Sequence, residues 1–183
     1  ISALYAQFEA NGYDQADSQH DGSQQHSSKQ GTMEIYWVRD GQDVKFVQVP
    51  DPAVKYVETR NQYGIREAEW YLCSRDSLKP CLMEPYLWEI TPGNSVLLTS
   101  LVYPVVTNGT FRGVAGVDMN LPVLQELVER QAAQLYGGKV KLYLLSKHGL
   151  VLASNVLAKD LGKALPDLDK GLHQHLQQHK AEL

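Results

Sequence analysis

The sequence predicts an α+β fold, an antiparallel sheet with flanking helices. Three observations carry this. Short apolar runs come in pairs joined by turn dipeptides, Asp40-Gly41 and Asn108-Gly109, the signature of antiparallel hairpins. Segments with helical spacing intervene, clearest at Leu124, Leu127, Val128 and Leu135. The chain has 183 residues and is 43% apolar, enough for one good core or for one and a half small modules.

The elements follow in order. Residues 1–10, with Leu4, Tyr5 and Phe8, fit a short helix, the stub of a longer one. Residues 11–32 are rich in Gln, Ser, Asp, His and Gly, and such a composition predicts a mobile polar loop. Residues 33–38 and 44–49 read as the strands of a hairpin, stopped by Pro50 and Pro52. Residues 53–95 mix helix, turn and loop. Residues 96–106 and 111–117 form a second hairpin. Its Asn108-Gly109-Thr110 turn is formally a glycosylation sequon, but the turn alone explains those residues. Asn120 is placed to cap a helix that Gly137-Gly138 ends. Residues 139–145 and 150–154 make a third hairpin around His148-Gly149, and the tail from Leu168 is a mostly polar helix.

Charge and composition exclude several functions. A net charge of -4 lacks the basic face that nucleic acid requires. No apolar run reaches the length of a membrane span. The chain begins at Ile1 without a signal peptide and reads as a piece of something longer, with any membrane helices outside it. Cys73 and Cys81 could close a short loop. Two buried thiols are the other reading, but the polar and Pro residues between them favour an exposed loop, a disulfide and an oxidising compartment.

No catalytic set emerges. Neither cysteine neighbours a His, and Ser100 and Ser154 lack a nucleophile elbow. The Gly113-x-x-Gly116 spacing lies inside a strand and opens no Lys-Ser/Thr pair, so it is no phosphate loop. His175 and His179 are one helical turn apart, but His173 is poorly placed to complete a zinc site and no Cys or acid does so. The reading is therefore no enzyme, no metal and no cofactor. What remains is a gathering of rings, Tyr63, Trp70, Tyr71, Tyr86 and Trp88, with one carboxylate, Asp118, ending the strand Gly113-Val114-Ala115-Gly116-Val117. A cation over such a ring gains about 0.5–2 kcal/mol per good contact. Core packing is the bland alternative for each ring taken singly.

The order of these pieces resembles the double Cache sensor domains of bacterial methyl-accepting chemotaxis proteins. It runs from Ile35-Tyr36-Trp37 with Asp40-Gly41, through Trp70-Tyr71, Pro85-Tyr86 and Thr99-Ser100 with Pro104, to Gly113-Val114-Ala115-Gly116-Val117-Asp118. The resemblance covers about residues 33–165. It implies PAS-like modules in the periplasm, anchored to the inner membrane by helices outside this stretch, with a homodimer in the full receptor. Residues 1–32 would be the helix stub and loop, 33–120 the membrane-distal ligand-binding module, 121–138 a connecting helix and 139–183 part of a membrane-proximal module. Sensor regions of histidine kinases and diguanylate cyclases are the alternative, and a soluble enzyme comes last.

The resemblance also implies site residues. Tyr63 matches an aromatic seven positions before the motif Trp. Trp70 and Tyr71 match the Trp-Tyr pair, Tyr86 a later Tyr, and Asp118 the acid that takes a ligand ammonium. Two positions depart from the amino-acid-binding pattern. Ala68 stands where an Arg should grip a carboxylate, and Trp88 stands where a second acid should be. Arg66 is left as a substitute clamp. The lost Arg and the added Trp point to an amine, polyamine or quaternary ammonium ligand, with an amino acid next and a small carboxylate third.

Overall fold

The computed structural model describes residues 1–21, 25–49, 51–61, 63–91, 94–146 and 148–179, and within that the side chains of residues 87–96 are not described. The chain divides into two compact units, Ile1–Met83 with Ser100–Met119, and Glu84–Thr99 with Asn120–Leu183. This differs from the expected boundaries. Residues 1–32 belong to the first unit, and Glu84–Thr99 groups with the second.

The first unit is built on a sheet whose strands are β1 (Ala3–Phe8), β2 (Glu34–Asp40), β3 (Asp43–Phe46), β4 (Cys81–Leu82), β6 (Asn94–Thr107) and β7 (Thr110–Asn120). Their order is β3-β2-β1-β7-β6-β4. The expected helix at residues 1–10 is thus a central strand. It pairs antiparallel with β2 on one side and β7 on the other. Leu4, Tyr5 and Phe8 suit helical spacing, but Ala3, Tyr5 and Gln7 also alternate with exposed Leu4 and half-buried Ala6. Two ladders of backbone hydrogen bonds decide for the strand, since neither β2 nor β7 would otherwise be partnered on that edge.

The expected mobile loop is also corrected. Asp17, Ser27, Ser28 and Thr32 are buried. The Asp17 carboxylate accepts the Asn11 N–H at 2.7 Å. Ser28 and Thr32 share a hydroxyl hydrogen bond of 2.7 Å, and Thr32 donates to Glu34 at 2.9 Å. A side chain at Gly31 would meet the Asp17 carbonyl at 1.8 Å, and φ there is +82°, so the segment is closed tightly at that glycine. Polar composition does not prevent order when the polar groups satisfy one another.

Beyond the hairpins lie a 3-10 turn at Pro52–Tyr56, capped by Asp51 accepting the Ala53 N–H, and helix α1 (Glu69–Ser77). The helix ends on Leu78 in the left-handed region, its N–H bonded to the Ser74 carbonyl. Cys73 and Cys81 form the expected disulfide, with Cα atoms 6.3 Å apart, and so tie α1 to β4.

In the second unit β5 (Tyr86–Thr91) pairs antiparallel with the opening of β6, Tyr86 opposite Leu98. Helix α2 (Leu121–Gln134) buries Leu121, Val128 and Ala132, while Leu127 is exposed. Asn120 stands at the N-cap position as expected, but its side chain makes no cap bond. An N-cap side chain reaches the second or third helical N–H, and Pro122 at the second position has none. The third hairpin forms as β8 (Tyr143–Leu145) and β9 (Val151–Ser154). Gln125 lies beside β9 and acts as a one-residue strand. Its side-chain amide donates to the Ser154 carbonyl and accepts the Ser154 N–H, both at 2.9 Å. Two short helices follow, α3 (Leu165–Leu168) and α4 (Lys170–Gln178), the second capped by Asp169.

Candidate functional site

Strand register sets the site in the first unit. Ala3 lies between Val38 and Asp118, and Tyr5 lies between Tyr36 and Gly116. Side chains on one face recur every second residue, so Glu34, Tyr36 and Val38 share a face with Ala3, Tyr5 and Gln7, and with Val114, Gly116 and Asp118. All nine are buried. Gly116 cannot be anything larger, because a Cβ there would stand 2.3 Å from Cζ of Tyr5. The Tyr5 ring therefore packs against the backbone of β7.

Asp118 is 2% exposed. Ser100 Oγ donates to its Oδ1 at 2.6 Å, and Tyr36 Oη donates to its Oδ2 at 3.5 Å. The rings lead away from it in a chain. Tyr5 meets Tyr36 edge-on at 6.3 Å and Trp70 edge-on at 5.5 Å. The arrangement places a buried carboxylate, held by hydroxyls, at the end of a run of aromatic faces and edges. Such a site suits an organic cation, which can pair with the acid and lie against rings.

Of the expected site residues, Trp70 and Asp118 are linked by this chain of contacts. Tyr71 meets Trp70 edge-on at 5.7 Å, and its ring also faces a second cluster. Consecutive helical residues point about 100° apart, and Tyr71, fully buried, meets Tyr56 at 5.7 Å and Phe111 at 5.5 Å. Its hydroxyl donates to Glu9 at 2.8 Å, and Tyr56 donates to the same carboxylate at 2.9 Å. Burial, then the Glu9 carboxylate, pushes both phenols well above the ordinary tyrosine range. Tyr71 thus joins that cluster to Trp70.

Arg66 is also engaged. Its Nε donates to Glu69 at 2.6 Å and its Nη1 to Asp76 at 2.7 Å. The Arg66 partner holds the Asp76 carboxyl below its ordinary value. A ligand carboxylate at Arg66 would have to displace these acids, so the geometry gives a structural clasp between the helix and the preceding turn. Tyr63 is 40% exposed on that turn, where Asn61 Oδ1 accepts the N–H groups of Tyr63 and Ile65. Tyr86 and Trp88 belong to β5 in the second unit, and the Trp88 side chain lies outside the described residues. The rings of His175 and His179 lie 4.5 Å apart, tilted at 54°, and among the described residues no group of His, Cys, Asp and Glu is set to hold a metal.

Three residues were missed by sequence reasoning: Tyr5, Tyr36 and Ser100. The signal for Ser100 was present, since Ser100 and Val102 are the inward positions of β6 and Leu101 and Tyr103 are exposed. A hydroxyl in an inward apolar row needs a polar partner. Further along the same face Glu34 meets Lys55, both fully buried, and Lys55 Nζ also donates to the Phe8 carbonyl.

No family model matches the chain. Methyl-accepting chemotaxis protein TlpQ of Pseudomonas aeruginosa is 30% identical over 190 residues, which take in all of this chain and 26% of that protein. The chain thus spans about a quarter of the length of the curated relative it matches. Among solved structures, the extracellular domain of the histidine kinase mmHK1S-Z3 superposes with a TM-score of 0.69 at 20% identity, covering 98% of this chain and 58% of that one. Methyl-accepting chemotaxis protein X gives 0.62 at 25% identity, covering 94% and 60%. The periplasmic sensory domain of the Campylobacter jejuni chemoreceptor Tlp1 gives 0.63 at 14% identity, covering 99% and 59%. The fold is therefore that of the Cache-type extracellular sensor domains, and the chain is, along its whole length, a homologue of part of a methyl-accepting chemotaxis protein.

Proposed function

We propose that this chain is the periplasmic ligand-binding region of a transmembrane chemoreceptor and that it binds a small organic cation. The observation that carries the reading is the buried carboxylate of Asp118, bonded by Ser100 and Tyr36 and joined through Tyr36 and Tyr5 to Trp70. The chemotaxis relative supports the receptor class. An amine, polyamine or quaternary ammonium head would place its charge at Asp118 and its carbon surface on the rings. Ligand binding would then bias a two-state helix running to the inner membrane, in a homodimeric receptor. A sensor of a histidine kinase or cyclase has the same domain requirements, and the sequence that follows this region in its gene decides between the outputs.

Calorimetric titration against amines, amino acids and organic acids tests the ligand class. Amine binding is expected to vanish in Asp118→Asn and to persist in Arg66→Ala, since Arg66 is already paired with Glu69 and Asp76. Loss of binding in Arg66→Ala, with Asp118→Asn unaffected, would move the assignment to a carboxylate ligand.

A further inference from the structure

Among the described residues, two hydroxyls of unequal standing approach the Asp118 carboxylate. Ser100 Oγ lies 2.6 Å from Oδ1, a short hydroxyl–oxygen hydrogen bond. Tyr36 Oη lies 3.5 Å from Oδ2, at the outer limit of a hydrogen bond. Ser100 is fully buried, and its strand is fixed by the Met83 N–H, which donates to the Ser100 carbonyl at 2.8 Å. Asp118 is fixed from the other side, where the Ser2 N–H donates to its carbonyl at 2.7 Å. Both backbones are held in the sheet by these hydrogen bonds, so the Ser100 hydroxyl bears directly on the rotation of the Asp118 carboxylate.

We propose that Ser100 is a positioning residue of the ligand site, orienting the Asp118 carboxylate for a ligand cation, and that Tyr36 contributes mainly its ring. This rests on the assignment of Asp118 as the acid that receives the ligand. A serine hydroxyl suits the task because it donates one hydrogen bond, brings no charge and occupies little room. A Lys or Arg in its place would neutralise the acid internally and compete with the ligand. Among the described residues, the titratable groups that the contacts bring toward Asp118 across the sheet are the phenols of Tyr36 on β2 and, through its ring, Tyr5 on β1.

The test uses the full chain with putrescine and choline as probes. Ser100→Ala is expected to weaken their binding by about 10- to 100-fold, the worth of a hydrogen bond to a charged group. Ser100→Thr, which keeps the hydroxyl, should restore most of it. Tyr36→Phe, which keeps the ring, should cost no more than about threefold for so long a bond. A second measurement needs no ligand. The carboxyl carbon resonance of Asp118, assigned by its absence in Asp118→Asn, should move in Ser100→Ala and return in Ser100→Thr. An unmoved resonance overturns the proposal, as does unchanged probe affinity in Ser100→Ala when Asp118→Asn has lost it. Probe binding that survives Asp118→Asn instead overturns the assignment of the acid itself.

Discussion

Replacing Lys55 by Met gives a demanding check on how the first unit is held together. Lys55 and Glu34 are each fully buried and paired, Lys55 also donates to the Phe8 carbonyl, and Thr32 donates to Glu34 at 2.9 Å. One Glu34 oxygen, Oε2, is buried without a hydrogen-bond partner among the described residues. Removing the ammonium leaves an uncompensated buried carboxylate, a loss of about 3–5 kcal/mol. At this chain length that lowers the melting temperature by roughly 6–20 °C. The pH dependence has a definite sign. Burial, opposed by Lys55, leaves the Glu34 carboxyl above its ordinary value of 4.5. The native state holds that proton more tightly than the unfolded chain does. The stability tied to Glu34 is thus fully present below about pH 4.5 and is lost as pH rises through the folded value. Without Lys55 the opposing pull is gone, so the penalty of Lys55→Met is greatest near neutral pH and shrinks on acidification. Urea unfolding of wild type and variant from pH 4 to 8 measures it. The double change Lys55→Met with Glu34→Leu should recover most of the loss. A penalty that is flat or grows toward acid pH would refute the account of the pair.

Three further outcomes follow from the same packing. Reducing Cys73–Cys81, a link across 8 positions, should cost about 2.5 kcal/mol by loop-closure entropy, seen as a lower melting temperature in reductant that a Cys73→Ser variant does not show on further reduction. Gly116→Ala forces a Cβ to 2.3 Å from the Tyr5 ring and should cost about 1–3 kcal/mol in urea unfolding, together with weaker ligand binding as Tyr5 is displaced. Gln125→Ala strips the partners of both Ser154 backbone groups, with a cost of about 1–3 kcal/mol and faster hydrogen exchange at the Ser154 amide.

Much of the sheet was legible because its turns are. Gly41 falls between β2 and β3, just after Asp40 ends β2, and Asn108-Gly109 between β6 and β7, where left-handed residues are needed and Asn and Gly provide them. Two regions were not legible. Residues 1–10 satisfy helix and strand spacing together, and only neighbours distant in sequence decide between them. Residues 11–32 have the composition of a disordered loop, yet Asp17, Ser28 and Thr32 are buried because each finds a polar partner, a fact no local property reveals.

These two misreadings also governed how much of the site could be seen. A motif marks Asp118 and Trp70 directly. It marks Tyr71 as well, whose ring meets Trp70 at 5.7 Å while its hydroxyl goes to Glu9. The other rings beside the acid come from strand register. Once residues 3–8 are a strand beside β7, Tyr5 must lie over Gly116 and Tyr36 must lie beside Tyr5. The glycine that looked like punctuation in an apolar strand is then the space left for a ring. The same alternation brings Ser100 inward from β6 to Asp118. An acid in such a site is conspicuous in the sequence because its type is rare in a strand interior. The hydroxyl and the rings around it are common types, and only their placement in the sheet makes them candidates for the site.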